Sequence, residues 1–256
     1  MLILLSPAKT LNFDKERSVE NYTLPLFLQD SSLLIERLRQ MTPDDISSLM
    51  EVGEKLAHLN YERFQDWHKP FTPENSKAAI FAFTGDVYEG LNAREFDDEE
   101  LDFAQKHLRI LSGLYGILRP LDLIQPYRLE MGSPLDTPAG KGLYSFWGDS
   151  ITETINENMK DEEEPIVLNL ASQEYFKTIN LKSLKAGVIT PVFKELKGGK
   201  YKIISFSAKR ARGLMSNYII KNKIISPHAI KSFNAQGYSF NESLSSSGQW
   251  TFTREQ

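Results

Sequence analysis

The chain opens on Met1-Leu2-Ile3-Leu4-Leu5, an uninterrupted apolar run that reads as a short strand buried on both faces. The polar turn Ser6-Pro7-Ala8-Lys9-Thr10 follows it. After Pro25 the apolar spacing changes to the helical period, with Leu33, Leu34, Leu38 and Met41. Thr42-Pro43-Asp44-Asp45 then starts a second helix, with a hydroxyl at the cap, proline at the first position and two carboxylates facing the positive end. Thr72-Pro73-Glu74 repeats that device ahead of residues 78–83, an apolar run expected to form a central strand. The clearest helix is expected over residues 97–112. It has an acidic first turn, Leu101, Ala104, Leu108 and Leu111 on one face, Lys106 and Arg109 late, and Gly113 as its stop.

Residues 113–142 carry four prolines and five glycines, so regular structure is expected to break down there. The segment is not polar, and an apolar irregular stretch has to pack on something. A helix with Ile151, Ile155 and Met159 on one face comes next, followed by the acidic run Asp161-Glu162-Glu163-Glu164. Residues 166–170 read as a strand and Ser172 as the start of a short helix. A hairpin joined through Gly198-Gly199 is expected between residues 188–193 and 201–206. Residues 209–223 read as a helix with Ala211, Leu214, Met215 and Tyr218 inward. Ser226-Pro227 begins a last helix ended by Gly237, and a short hairpin of residues 238–240 and 250–252 closes the pattern. Strands and helices mix without regular alternation and no linker divides them. The expected fold is therefore mixed α/β (α+β), one domain over residues 1–256.

Composition narrows the classes. With 41% hydrophobic and 25% charged residues among 256, disorder and low complexity are excluded. The chain has no cysteine, which removes disulfides, thiolate metal sites and cysteine nucleophiles. No stretch approaches a membrane span, so a cytoplasmic protein without membrane association is expected. The net charge of −4 conceals a division. Residues 1–165 hold 16 Lys+Arg against 30 Asp+Glu, and residues 166–256 hold 14 against 4. Two readings stay open: the two parts pack on each other, or the basic part presents a surface to a polyanion.

Three constellations could carry chemistry. In Met50-Glu51-Val52-Gly53-Glu54-Lys55-Leu56-Ala57, between two helical segments, Val52, Gly53, Lys55 and Ala57 match a helix-hairpin-helix element. Such a turn aims backbone N–H groups at a phosphate, with a cation beside them. Glu51 stands where the first glycine of that hairpin would be. The second constellation is Lys209, Arg210 and Arg212 at a helix start, where cations oppose the dipole unless an anion is near. That anion is either a ligand phosphate or an acidic side chain of residues 1–165. The third is a set of polar residues beyond strand ends and in the proline-rich segment: Ser6, Lys9, Thr10, Arg119, Asp122, Tyr127, Arg128, Asn169, Ser172, Glu174 and Tyr175. They are candidates for a cleft that takes a small phosphorylated or carboxylated ligand, or for ordinary caps and pairs. The four histidines lack ligand spacing, so no metal site is expected, and no cofactor fingerprint is present.

Several blocks together resemble the YaaA family of bacterial peroxide-stress proteins. They are Leu5-Ser6-Pro7-Ala8-Lys9-Thr10-Leu11, Phe83-Thr84-Gly85-Asp86-Val87-Tyr88, Leu111-Ser112-Gly113-Leu114-Tyr115-Gly116, Arg119-Pro120-Leu121-Asp122, Asn169-Leu170-Ala171-Ser172 and Ala208-Lys209-Arg210-Ala211-Arg212-Gly213. The resemblance implies a cytoplasmic protein that limits oxidative damage by keeping free intracellular iron low. It also implies a single domain of unusual topology with a mixed central sheet, a basic cleft, and non-specific DNA binding through a helix-hairpin-helix element at about residues 42–64. It transfers no catalytic residue, so enzymatic activity stays open.

Overall fold

The computed structural model describes residues 1–14 and 21–255. The opening apolar run is β1 (Leu2–Leu5), with all four residues buried. Its unbroken hydrophobicity follows from its place in the middle of an eight-stranded sheet, covered on both faces. In chain order the other strands are β2 (Leu108–Ser112), β3 (Gly116–Leu118), β4 (Ile166–Asn169), β5 (Gly187–Lys197), β6 (Lys200–Lys202), β7 (Ser239–Phe240) and β8 (Gln249–Arg254). The order across the sheet is β7-β8-β5-β4-β1-β2-β3, and β6 hangs on β5. β1 pairs in parallel with β2 on one side and β4 on the other, and β4–β5 and β5–β8 are parallel too. The β2–β3, β5–β6 and β7–β8 pairs are antiparallel, so the sheet is mixed. Along β5 burial alternates residue by residue, with Ile189, Phe193 and Glu195 inward, as a half-covered strand requires.

The longer helices are α1 (Leu28–Arg39), α2 (Pro43–Met50), α3 (Glu54–Asp66), α4 (Asp86–Leu91), α5 (Asp98–His107), α6 (Ser150–Asn158) and α7 (Ser205–Lys221). Thr42 and Asp45 form a reciprocal capping box at α2, and Asp97 and Glu100 form another at α5. α4 and α7 cross at backbone contact. A Cβ on Gly213 would lie 1.8 Å from the Val87 carbonyl oxygen, and one on Gly90 would lie 2.3 Å from that of Arg210. Only glycine at both positions permits that approach. Asn217 Nδ2 donates to Leu91 O at 2.7 Å and ties off the end of α4. One cluster of buried side chains runs from Met1 to Phe252, so the acidic and basic parts share a single core.

Several elements differ from the sequence reading. Residues 78–83 are not a central strand. Ala79–Ala82 form a buried helical turn between two two-residue strands, Lys77–Ala78 and Phe83–Thr84, which pair with Leu123–Ile124 and Thr10–Leu11. A wholly apolar run carries no period, and two alanines favour the helical turn. The helix expected over 97–112 stops at His107, and Leu108 to Ser112 are β2. Leu108 and Leu111 fit a helical face by coincidence, since every residue of β2 is buried. Gly113 is not a helix stop: its missing Cβ leaves room for Leu129 O, which would lie 2.2 Å from one. Thr72 precedes a turn, not a helix, and Asn75 Oδ1 accepts from its backbone N–H at 2.9 Å. The second arm of the Gly198-Gly199 hairpin is only Lys200–Lys202, because α7 already starts at Ser205. The helix after Ser226 breaks into two 3-10 segments, Pro227–Ser232 and Ala235–Gly237.

Candidate functional site

β1 and β4 are parallel neighbours, and the chain leaves them in opposite directions: β2 joins the far edge of β1, and β5 the far edge of β4. That divergence opens a crevice beyond the carboxyl ends of the strands, the usual ligand position in parallel sheets. A cleft of about 500 Å³ lies there. Its floor comes from residues 6–10 after β1 and from Leu170 and Ser172 after β4. The two segments are tied together: Ser172 N–H donates to Ser6 Oγ at 2.8 Å, and the Tyr88 hydroxyl donates to Ser6 O at 3.0 Å. Thr10 pairs with Thr84 across a short antiparallel ladder, and both face the cleft.

One wall holds Arg128 and Glu130. Glu130 Oε1 accepts from Arg128 Nε at 3.0 Å and Nη2 at 2.9 Å, and Lys9 Nζ lies 3.3 Å away. Glu174 Oε1 accepts from Gly132 N–H at 3.0 Å and closes the loop at that end. The other wall is the α4–α7 crossing, which brings Asp86, Val87 and Tyr88 beside Lys209 and Arg212. Tyr88, Tyr127 and Tyr175 line the interior, and burial pushes all three phenols well above their usual range, so they stay protonated. Tyr127 is held by the Ser112 hydroxyl at 2.6 Å. Burial lowers the Arg212 guanidinium below its usual value.

Of the residues read from the sequence, Ser6, Lys9, Thr10, Tyr127, Arg128, Ser172, Glu174, Tyr175, Lys209 and Arg212 come together here. Arg119, Asp122 and Asn169 do not line the cleft. Asp122 is buried and accepts from Arg119 N–H, Nε and Nη2 and from Thr23 Oγ1, so the pair clamps Thr23 and Leu24 to the turn before Leu123. Asn169 turns the chain after β4 by accepting from Ala171 N–H at 3.0 Å. Arg210 points away to Glu89, 3.5 Å off. Lys209, Arg210 and Arg212 lie more than a turn inside α7, so their cost against the dipole is smaller than their expected place at its start implied. Thr84, Asp86, Tyr88 and Glu130 were missed as site residues, because nothing in their spacing marks chemistry.

The second candidate is the hairpin of α2 and α3. Glu51 closes α2 in the left-handed conformation (φ 52°), Val52 packs inward, and Gly53 is the N-cap of α3. Gly53 has an ordinary φ of −69° and a Cβ there would meet nothing within 4 Å. No side chain caps α3; Leu56 N–H donates to Gly53 O at 3.0 Å, which leaves the amides of Glu54 and exposed Lys55 open.

The family described as peroxide stress protein YaaA matches residues 1–244. The chain belongs to the YaaA family. It is 53% identical to a UPF0246 protein of Cupriavidus metallidurans, over 99% of this chain and 98% of that one. A UPF0246 protein of Cupriavidus pinatubonensis is 51% identical over the same shares. A peroxide-stress role is therefore established at family level, and the YaaA blocks can be placed physically. Two of them, residues 83–88 and 208–213, lie on the two sides of the α4–α7 crossing, and two more, residues 5–11 and 169–172, contribute residues 6–10, Leu170 and Ser172 to the cleft floor. Among the described residues no group of three or more His, Asp or Glu is arranged to hold a metal ion, and no helix is long and apolar enough to cross a membrane.

Proposed function

We propose that this YaaA-family protein acts in the cytoplasm under peroxide stress by binding DNA non-specifically, and that it limits free iron through that binding. The observation that carries the reading is Gly53. Neither backbone conformation nor packing demands glycine there, yet its bare N-cap leaves the first amides of α3 free for a phosphate that approaches closely. Lys55 adds a cation at the same turn, and the exposed Lys200, Lys202, Phe206 and Lys209 form a basic stretch with an apolar contact surface.

The test is fluorescence anisotropy with a labelled random duplex across a salt series. Three phosphate contacts give a loss of about 40-fold between about 50 and 200 mM salt. Lys55→Glu lowers affinity and flattens the slope by about one contact. Gly53→Ser separates function from stability: serine caps α3 and raises stability by a few tenths of a kcal/mol, while it occupies the amides and weakens DNA binding. Affinity independent of salt refutes the reading. In cells, free iron measured by electron paramagnetic resonance rises in the Lys55→Glu strain under peroxide; iron at the wild-type level separates iron control from DNA binding.

A further inference from the structure

The four cations of the cleft divide into two pairs with different status. Lys9 and Arg128 are both committed to Glu130. Lys209 and Arg212 reach the cleft from α7 with no carboxylate in ion-pair range among the described residues. Arg212 is half-buried, and its guanidinium donates no hydrogen bond to any described residue. Its nitrogens still reach solvent, so the fork of donors is open to an acceptor that a ligand brings. Nearby, Asp86 has no described partner, and Glu130 Oε2 is buried without one. Gly213 rests on the backbone of Val87, so the residues before them, Arg212 and Asp86, enter the cleft from the two sides of one crossing. Among the described residues the cleft thus presents two unpaired cations, an unpaired anion and an apolar surface of Pro7, Leu170 and Tyr175.

We propose that the cleft binds a small organic molecule carrying one oxyanion group, a phosphate monoester or a carboxylate, and an arm with hydroxyl or amine donors. The oxyanion sits on Arg212, which offers a planar fork of donors, with Lys209 adding charge. The arm donates to Asp86. A volume of about 500 Å³ suits a molecule of sugar-phosphate or nucleotide size and not a stretch of duplex. This site stands independently of the hairpin, which does not line it.

Isothermal titration of the full chain tests it, with ribose 5-phosphate, gluconate, inorganic phosphate and ribose as probes. Ribose 5-phosphate or gluconate binds at least about ten-fold tighter than inorganic phosphate, and ribose alone does not bind. Whichever of the first two is tighter tells phosphate from carboxylate. Arg212→Gln weakens that probe at least about 30-fold, and Lys209→Ala, an exposed position where folding is not at stake, weakens it about five-fold. Asp86→Asn narrows the preference over inorganic phosphate, and Lys55→Glu leaves all the affinities as they are. The proposal is overturned if no oxyanion probe binds tighter than about 10 mM. It is equally overturned if Arg212→Gln and Lys209→Ala bind the probes as the native chain does.

Discussion

Replacing Gly213 by alanine sets two effects of opposite sign against each other. Gly213 lies inside the 17-residue α7, where alanine favours the helix by about 1 kcal/mol. Against this, the new Cβ would fall 1.8 Å from Val87 O, 2.7 Å from Leu91 N and 2.8 Å from Val87 C. All three are backbone atoms of α4, so no side chain can swing aside. Ordinary contact begins near 3.4 Å, and the two helices would have to part by about 1.6 Å. Overpacking of that kind costs typically 1–3 kcal/mol and occasionally more, and a rigid backbone on both sides argues for about 3 or above. The net expectation is a loss of about 2 kcal/mol, or about 4–8 °C in Tm for a domain of this size. Thermal melts followed by circular dichroism measure it. Gly90→Ala, facing Arg210 O at 2.3 Å, should cost a similar amount, and the double variant less than the sum because both open one crossing. A Gly213→Ala protein that melts at or above the native temperature would refute the reasoning, since propensity alone would then have decided the outcome.

Two further expectations concern single residues. Glu51→Gly removes a non-glycine residue from the left-handed region and a carboxylate from beside Gly53; denaturant unfolding should show a gain of about 0.5–1 kcal/mol and DNA affinity should rise at low salt, while a net loss of stability would contradict the strain argument. Burial holds His107 below its ordinary value of 6.5, with its ring on Phe103 at 4.3 Å and Nδ1 3.1 Å from Met1 O. The unfolded chain therefore takes up a proton that the native state resists, so stability is full above 6.5 and falls as pH drops through it. His107→Asn should lack that part of the acid-side decline, and superimposable pH curves would count against it.

The sequence was informative where a residue type does one local job. Thr42, Asp45, Asp97 and Glu100 cap the helices their pattern announces, and the unbroken run of β1 reports burial on both faces. It misled where an apolar run had no phase, as in Ala79–Ala82, or where a strand met a helix without a break, as at His107. The site was half legible. Polar residues after β1 and β4 pointed to the cleft because strand ends carry that meaning. Asp86 and Glu130 gave no signal, since their role depends on a helix crossing and a loop wall that tertiary packing alone creates. Arg119 and Asp122 look like site chemistry in sequence, yet their hydrogen bonds are spent on Thr23, Leu24 and each other.

The central place of β1 has a cost during synthesis. Its two neighbours begin at residues 108 and 166, so one edge of Leu2–Leu5 waits for the first of them and the other edge for the second. At about 5–20 residues per second the longer wait is on the order of 10–30 s, with one apolar edge still open. The centre of the sheet is therefore assembled from segments far apart in the chain, and its pairing is set by contacts of high sequence separation.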